Sequence, residues 1–270
     1  MKALILAAGF GTRLDKDIRE DDSGDYNHLI GVPKPLVPIS EAYPHLIDYW
    51  VKMIESCEEI DQIYVVTNGW NYHHFKTWAE NKGFPLENIV NDGSSSNESR
   101  LGAIADIALV VEKKKIKDDL LVVGGDTLFY PSFSLAEVIA DFYDKKGSTI
   151  VCYPVKDEEV SKRGIIERNE NRRIVSFLEK PKPKETTSRS GVPCFYIYQP
   201  RTLTLLNQYL LQTTTLKERD APGMLIAWLY SKKPVYGFDI KGRFDVGSLG
   251  DYIKAAMFFQ SLDRKRGLSR

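Results

Sequence analysis

The chain has 270 residues, of which 43% are hydrophobic and 27% are charged, and its 37 lysines and arginines balance 37 aspartates and glutamates. This zero formal charge excludes a global field that would draw the protein to nucleic acid or to an anionic membrane. A polyanionic ligand would therefore need a local cluster of basic side chains.

Strand-like and helix-like segments alternate in the first part of the chain. Continuous apolar runs typical of strands buried on both faces occur at residues 3–8, 63–67, 120–123 and 149–152. Amphipathic stretches typical of helices lie between and after them, at residues 47–57, 72–81, 101–112 and 135–143. This alternation predicts an α/β fold with a mostly parallel central sheet and helices on both faces. Ligands of such folds bind beyond the carboxyl ends of the strands.

The second part of the chain has a different pattern. Short strand-like pieces, separated by charged and proline-rich segments, occur at residues 164–167, 174–178 and 194–198. They predict a small mixed or antiparallel extension of the sheet. Helices are predicted at residues 202–211, 221–230 and 249–262, with a strand near 235–238 and a frayed basic tail from residue 264. The sequence contains no internal repeat and no low-complexity linker, so we expect residues 1–270 to form a single domain.

The cysteines and the apolar segments indicate a cellular location. Cys57, Cys152 and Cys194 are far apart in the sequence and outside any metal-ligand spacing, which favours reduced thiols and a cytoplasmic protein. The first apolar run reaches glycine too soon for a signal peptide, and no later segment approaches the length needed to span a membrane. We therefore expect neither a membrane nor a nucleic-acid partner.

A glycine-containing turn follows the first predicted strand. Gly9 and Gly11 allow the backbone to approach a ligand closely and to present N–H groups to phosphate oxygens, and Arg13 adds a cation. A dinucleotide fingerprint would need a third glycine where Leu14 stands, and the Gly-Lys-Ser/Thr of a P-loop is absent. Taken alone, the turn fits a phosphate-binding role and a purely structural role equally well.

A second basic candidate lies between two prolines. Pro33 and Pro35 stiffen the backbone around Lys34 and so limit the entropy that is lost when its ammonium group meets an anion. Together with Arg13, this lysine could clamp a triphosphate. A solvated lysine in a rigid loop is the simpler alternative.

Five segments together resemble the signature of the sugar-1-phosphate nucleotidyltransferases, among them glucose-1-phosphate thymidylyltransferases and mannose-1-phosphate guanylyltransferases. In the order that the family has, they are LAAGFGTRL at residues 6–14, PKPL at 33–36, GGD at 124–126, FLEKP at 177–181 and RFDVG at 243–247. The resemblance covers most of the chain. It implies a Rossmann-like nucleotidyltransferase fold, with nucleotide binding in about residues 1–130 and acceptor binding in about residues 131–265.

The resemblance also implies roles for single residues. Catalytic roles fall on Arg13 and Lys34 at the phosphates of the triphosphate, on Asp126, and on Lys180 at the acceptor phosphate. Asp126 and Asp245 would hold Mg²⁺. Further substrate-binding residues would be Leu6, Ala8, Gly9, Gly11 and Thr12 near the glycine turn, Asn97 and Gly102 at the nucleobase, and Glu179 and Gly191 at the sugar. A homo-oligomer is usual for the family.

The implied reaction condenses a nucleoside triphosphate with a sugar 1-phosphate and yields a nucleotide sugar and pyrophosphate. A phosphomonoester with a second pKa of about 6 is largely dianionic at neutral pH and needs no general base to attack phosphorus. The difficulty is electrostatic, since two anions must meet. Cationic side chains and Mg²⁺ are therefore expected to carry most of the catalysis.

Other functions remain open at the level of sequence. The chain could be a cytidylyltransferase for a phospho-alcohol or a phosphonate, a glycosyltransferase, or a non-catalytic sensor of sugar nucleotides. The base of the triphosphate is also open among UTP, dTTP, CTP and GTP, because Arg100 is unexpected beside Asn97. Residues 15–31 form an acidic insertion that we expect to be a lid or an oligomer contact.

Overall fold

The computed structural model describes residues 1–267. Its strands are β1 (Lys2–Ala7), β2 (Gln62–Thr67), β3 (Ile89–Asn91), β4 (Leu120–Gly124), β5 (Thr127–Phe129), β6 (Ser148–Pro154), β7 (Gly164–Arg168), β8 (Ile174–Glu179), β9 (Ser190–Val192), β10 (Phe195–Tyr198), β11 (Val235–Asp239) and β12 (Arg243–Asp245). Its α-helices are α1 (Thr12–Arg19), α2 (Leu46–Glu55), α3 (Tyr72–Lys82), α4 (Ala103–Lys113), α5 (Leu135–Lys145), α6 (Asp157–Val160), α7 (Pro200–Leu203), α8 (Leu206–Gln212), α9 (Leu216–Asp220), α10 (Pro222–Leu229) and α11 (Leu249–Lys265). None of the helices within this range has the length and apolarity needed to cross a membrane.

One large sheet runs through the molecule in the order β3-β2-β1-β4-β10-β6-β9-β7-β8, with β11 paired to β6. The pairs β3–β2, β2–β1, β1–β4 and β6–β11 are parallel, whereas β4–β10, β10–β6 and β6–β9 are antiparallel. In the parallel part, Leu6 is level with Val66 of β2 and with Gly124 of β4. The loops that follow these three strands therefore emerge at one edge of the sheet, as the α/β prediction requires.

Both faces of the sheet are covered. Ala3, Ile5 and Ala7 of β1 belong to a core cluster that includes side chains of α1, α2, α3, α5 and α11. Leu4 belongs to a second cluster, with side chains of α4, α8 and α10. Because successive side chains of a strand point to opposite faces, this division places helices on the two sides of the sheet. The predicted α/β class with helices on both faces is confirmed.

The second part of the chain extends the sheet in mixed fashion, as predicted. β7 pairs antiparallel with β8 and with β9, and β9 joins them to β6. A separate two-stranded ribbon forms where β12 pairs antiparallel with β5, with Asp245 opposite Thr127. This ribbon brings the end of the GGD segment beside the RFDVG segment. β3, β5, β9 and β12 were not predicted, because three residues are too few to show a strand period.

Two helix predictions need correction. The helix expected at 202–211 is interrupted between α7 and α8, where the Thr204 hydroxyl donates to the carbonyl of Arg201 and Thr202 is buried against Ser148. Such local side-chain bonding competes with helix propagation. The last helix reaches Lys265 rather than residue 262, so the tail expected to fray from residue 264 is helical at its start. Residues 268–270 of that tail lie outside the described residues.

The acidic insertion at residues 15–31 is partly helical, and some of its carboxylates are hydrogen-bonded within the protein. It begins inside α1, whose Leu14 and Ile18 are buried four residues apart in the core. Asp15 accepts hydrogen bonds from Arg19 and from the amide of Gly31, and these bonds hold the pKa of its carboxyl below the ordinary value. Asp17 accepts a hydrogen bond from the amide of Leu249 at the start of α11. Two acidic side chains of the insertion, Asp15 and Asp17, thus stabilise the fold.

Candidate active site

The glycine turn links β1 to α1. Gly11 is the N-cap of α1 and has φ 66°, a left-handed conformation that glycine adopts without steric cost. Gly9 is exposed, while the carbonyl of buried Ala8 accepts a bond of 2.9 Å from Asn68. The N-terminus of an eight-residue helix thus opens at the carboxyl edge of the sheet, where backbone N–H groups and the helix dipole favour an anion.

A cavity of about 740 Å³ lies in front of this turn, and we call it the glycine-turn cavity. Its wall includes Gly11, Thr12, Arg13, Lys34, Asp126, Glu159, Lys162, Arg163, Lys180, Asp245 and Asp251. Arg13 is exposed, and its guanidinium lies beside Gly247. The structure therefore gathers the predicted Gly11, Thr12, Arg13 and Lys34 around one open space.

Lys34 is held by its flanking prolines, which are both buried. Its ammonium group lies 3.0 Å from a carboxylate oxygen of Asp126. The approach of Asp126 depends on Gly125, whose amide donates to the carbonyl of Leu6 and where an added Cβ would lie 3.2 Å from Pro35. Small residues at the end of β4 thus allow the GGD and PKPL segments to meet.

Asp245 lies between two guanidinium groups. Its carboxylate is 2.9 Å from Arg163 and 3.2 Å from Arg243, and Arg243 also donates to the hydroxyl of Tyr153 at 3.0 Å. Burial opposes ionisation of Asp245, but the charges of Arg243, Arg163 and Lys34 outweigh burial and lower its pKa below the ordinary value. Asp245 is therefore an anion that is stabilised by its surroundings.

A second cavity of about 440 Å³, which we call the Glu179 cavity, is lined in part by Asp245 and its two arginine partners. Burial raises the pKa of Glu179, and the ammonium groups of Lys180 and Lys217 only partly oppose this effect. Lys180 has φ 51° and donates its amide to the carbonyl of Arg163, so the two basic residues are fixed next to each other. Phe177, Tyr196 and Pro222 supply apolar surface to the same cavity.

The two cavities meet. Five residues contribute to the walls of both, namely Asp126, Lys162, Arg163, Lys180 and Asp245, and we call this group the junction. It contains three basic and two acidic side chains from four separate parts of the sequence. A molecule in one cavity would therefore reach a molecule in the other at a place rich in cations.

Other predicted contacts lie farther from the cavity walls. Gly191 is buried between β6 and β7, where an added Cβ would lie 2.4 Å from Val155. Gly102 has φ 95° and faces the backbone of Arg219, 2.8 Å from the position of a Cβ. Neither these glycines nor Asn97, Leu6, Ala8 and Gly9 belong to the described walls of the two cavities. Packing alone accounts for Gly191 and Gly102, and their roles in binding remain predictions.

Arg100 fixes the conformation of the loop between Asn97 and Gly102, where nucleobase contacts are predicted. It donates to Asp220 at 3.2 and 3.3 Å and to the carbonyl of Asn97 at 2.6 Å, and it also reaches the wall of the Glu179 cavity. The loop is thereby tied to the end of α9. This basic side chain, which the resemblance did not account for, has a structural role.

Beneath this loop lies a pair of carboxyl groups. Asp106 is 5% exposed, and burial together with the charge of neighbouring Asp92 raises its pKa to about 8. Within residues 1–267, oxygens Asp92 Oδ2 and Asp106 Oδ1 are buried without a hydrogen-bond donor. A proton held between the two carboxyls would satisfy both, and the raised pKa favours this state at neutral pH.

Several site residues were missed by sequence analysis. Arg243 is part of the RFDVG segment, yet its closeness to Asp245 and Tyr153 depends on how β12 pairs. Arg163 and Lys162 precede β7 without any pattern that marks them. Only the fold brings Arg163 to Asp245, which is 82 positions away in the sequence. No local signal could have identified this pair.

The donor set suits a magnesium ion that is shared with a substrate. Among residues 1–267, no group of three or more His, Cys, Asp or Glu side chains could hold a metal ion by itself. Asp126 and Asp245, however, present carboxylates that are 37% and 27% exposed at the junction. Mg²⁺ is typically bound by one or two carboxylates, with waters and substrate phosphates completing its shell. The residues present therefore fit such an ion.

Comparison with known proteins gives a consistent match. The family model described as "Nucleotidyl transferase" matches residues 2–261. The UTP–glucose-1-phosphate uridylyltransferase of Synechocystis sp. is 27% identical over 271 residues, which cover 94% of this chain and 62% of that protein. The glucose-1-phosphate thymidylyltransferase of Neisseria meningitidis is 28% identical over 216 residues, which cover 77% of this chain and 65% of that protein. This chain thus spans less than two thirds of the length of either relative.

A solved structure gives the same fold. The structure of a UDP-glucose pyrophosphorylase in complex with UDP-glucose has a TM-score of 0.72 and 20% identity, and the superposition covers 97% of this chain and 98% of the other. At this level of identity the similarity concerns the fold alone.

Proposed function

The chain belongs to the nucleotidyl transferase family, and from this premise we propose that it condenses a nucleoside triphosphate with a sugar 1-phosphate. The products would be a nucleotide sugar and pyrophosphate. The relatives act, by their names, on glucose 1-phosphate with a uridylyl or a thymidylyl group. The proposal carries this class of reaction to the present chain.

The observation that carries the proposal is the junction. A reaction between a triphosphate and a phosphomonoester needs two binding spaces that open onto one another where the phosphates meet. The glycine-turn cavity and the Glu179 cavity share Asp126, Lys162, Arg163, Lys180 and Asp245. Three cations among five shared residues match the charge that accumulates when two phosphate groups approach.

Roles for the side chains follow from their positions. Gly11 and Thr12 would present backbone N–H groups to the triphosphate, and Arg13 and Lys34 would neutralise its oxygens. Lys180, at the border of both cavities, would bind the phosphate of the acceptor. Glu179, in the wall of the second cavity, would accept hydrogen bonds from sugar hydroxyls. The acceptor phosphate is its own nucleophile, so the chain needs to supply no general base.

Mg²⁺ is part of the proposal, with Asp126 and Asp245 as its protein ligands. When bound, the ion would neutralise phosphate charge and help to orient the phosphates for displacement. Burial raises the pKa of Asp245, but the nearby Arg243, Arg163 and Lys34 outweigh burial and would keep this carboxylate ionised. The pairing of β12 with β5 would hold it close to Asp126.

We further propose that the enzyme works in the cytoplasm as a homo-oligomer. Cys57 and Cys152 are buried free thiols, and Cys194 is a half-buried one, which suits a reducing compartment. The homo-oligomer rests on the family resemblance alone. Gel filtration with light scattering tests it.

The decisive test is pyrophosphate release over a grid of UTP, dTTP, CTP and GTP against glucose 1-phosphate, mannose 1-phosphate and phosphocholine, with Mg²⁺ present. We expect release for a pair that contains a sugar 1-phosphate, and loss of release in excess chelator. Release with phosphocholine alone would identify a transferase for a phospho-alcohol instead. Full activity in chelator would remove Mg²⁺ from the proposal.

A further inference from the structure

The guanidinium group of Arg163 lies at the border of the two cavities. Arg163 immediately precedes β7 and belongs to the walls of both cavities. Its guanidinium lies 2.9 Å from the carboxylate of Asp245. Its side chain is 21% exposed, so it is open to a ligand on one side. Its Nε is buried without a hydrogen-bond acceptor within residues 1–267. Arg163 thus has donor capacity that the protein does not use.

Asp245 has another basic partner besides Arg163. The guanidinium of Arg243 lies 3.2 Å from the same carboxylate, and it is fixed by a bond of 3.0 Å to the hydroxyl of Tyr153 and by its position over the Tyr153 ring. Its side chain is only 8% exposed. Arg243 is therefore the structural partner of Asp245, and Arg163 is a second, more exposed partner of the same carboxylate oxygen.

Building on the proposed function, we infer that Arg163 is a catalytic residue that alternates between two anions. In the free enzyme its guanidinium holds the Oδ2 oxygen of Asp245. When substrates are bound, it donates instead to an oxygen of the phosphate that is transferred. Arginine suits this exchange, because its planar fork matches carboxylate and phosphate oxygens in the same way.

This exchange has a consequence for metal binding. A divalent cation at Asp245 would lie beside the guanidinium of Arg163, and the two positive charges would repel each other and compete for one carboxylate. Removal of the guanidinium should then strengthen metal binding in the absence of substrate, although it weakens catalysis. An arginine with a purely structural role would not produce these opposite effects.

The test compares Arg163→Gln with Arg168→Gln. Arg168 is a matched control, because it lies at the other end of β7, binds Asp239 at 2.8 Å, is also 21% exposed, and belongs to neither cavity wall. We expect Arg163→Gln to lower kcat about 100-fold with a change of less than about threefold in either KM, as for the loss of one transition-state donor. Arg168→Gln should keep the wild-type kcat.

Metal binding is measured separately, as the free Mn²⁺ signal in electron paramagnetic resonance of the substrate-free protein. Arg163→Gln should bind Mn²⁺ at least about threefold more tightly than wild type, by removal of a competing charge. Arg163→Lys keeps the positive charge and is the variant least expected to disturb folding. It should restore part of the wild-type kcat and all of the wild-type Mn²⁺ affinity.

Unchanged or weaker Mn²⁺ binding in Arg163→Gln, or a kcat within about threefold of wild type, overturns the inference. A wild type that releases no pyrophosphate over the whole substrate grid contradicts the proposed function instead. In that case the Mn²⁺ measurement still decides whether Arg163 and a metal ion compete for Asp245.

Discussion

The junction and the loop at residues 92–102 use charged side chains in different ways. At the junction, Asp126 forms an ion pair with neighbouring Lys34, and Arg163 forms one with Asp245, on the walls of open cavities. In the loop, Arg100 donates hydrogen bonds to the carbonyl of Asn97 and to the carboxylate of Asp220. Asp106, on the helix that follows the loop, is buried. Pairs at the junction can exchange one partner for a ligand. Pairs at the loop hold the backbone in place.

This contrast predicts two kinds of mutational effect. Substitutions at the junction and at its neighbour Lys34 should reduce turnover and leave stability nearly unchanged, because the lost contacts are partly solvated. Substitutions at the loop should reduce stability first. The effect on turnover should decrease from Asp126 through Lys34 and Arg100 to Asp106.

Asp126→Asn should have the largest effect. The amide keeps the shape of the side chain but loses the negative charge that would hold Mg²⁺ and orient Lys34. We expect kcat to fall by about three orders of magnitude or more while the melting temperature stays within about 2 °C. Steady-state pyrophosphate release and calorimetry measure both. Asp144→Asn, an exposed change on α5, is the control, and a kcat within tenfold of wild type in Asp126→Asn would remove the metal role.

Lys34→Ala should follow. It removes a cation from the glycine-turn cavity and leaves Asp126 without its partner at 3.0 Å. We expect kcat/KM for the triphosphate to drop about 100-fold, with a smaller change in KM for the acceptor. Lys76→Ala removes an exposed lysine that pairs with Glu80 and serves for comparison. Equal kinetics in the two variants would exclude Lys34 from triphosphate binding.

Arg100→Ala should affect turnover less and stability more. It removes hydrogen bonds to Asp220 and to the carbonyl of Asn97, so the loop loses its tie to α9. We expect a loss of about 1–3 kcal/mol in the free energy of unfolding, measured with urea, and less than a tenfold change in kcat. Preference among the triphosphates should relax. A severe loss of kcat at unchanged stability would instead make Arg100 a ligand-binding residue.

Asp106→Asn should have its main effect on the pH dependence of stability. The pKa of Asp106 is raised to about 8 by burial and by Asp92, so the folded state binds its proton more tightly than the unfolded chain, where the pKa is about 4. Its stabilising contribution is complete below the unfolded pKa and is lost as pH rises through about 8.

Asparagine cannot ionise, and its amide can donate to the buried oxygen of Asp92. The melting temperature of Asp106→Asn minus that of wild type should therefore increase from pH 5 to pH 8.5. Melting curves at four pH values measure this difference, with Asp118→Asn as an exposed control. A difference that is constant with pH would show that Asp106 does not hold the proton.

Much of the fold could be predicted from the sequence, because buried parallel strands are continuous apolar runs. β1, β2, β4 and β6 were predicted within two residues at each end. The three-residue strands β5 and β12 were not, and their pairing is what brings Asp126 to Asp245. Strands of this length depend on tertiary contacts rather than on a local pattern.

The part of the candidate site that lies in recognisable sequence motifs could be predicted. Gly11, Arg13, Lys34 and Asp126 lie in segments with a recognisable order, and the structure brings them to one cavity. Arg163 could not be predicted, since its position depends on the strand pairing that joins distant segments. Gly191 shows the converse, because a small residue in a short strand is explained by the approach of Val155 as well as by a ligand.

The central claim is that phosphates of two substrates meet at the junction, and a crystal structure with a non-hydrolysable triphosphate analogue, Mg²⁺ and a sugar 1-phosphate tests it most directly. The account predicts triphosphate oxygens in contact with Arg13 and Lys34, and the acceptor phosphate in contact with Lys180, with the reacting groups facing each other beside Asp126. A nucleotide bound elsewhere, with Arg13 and Lys34 touching only protein or solvent, would contradict it.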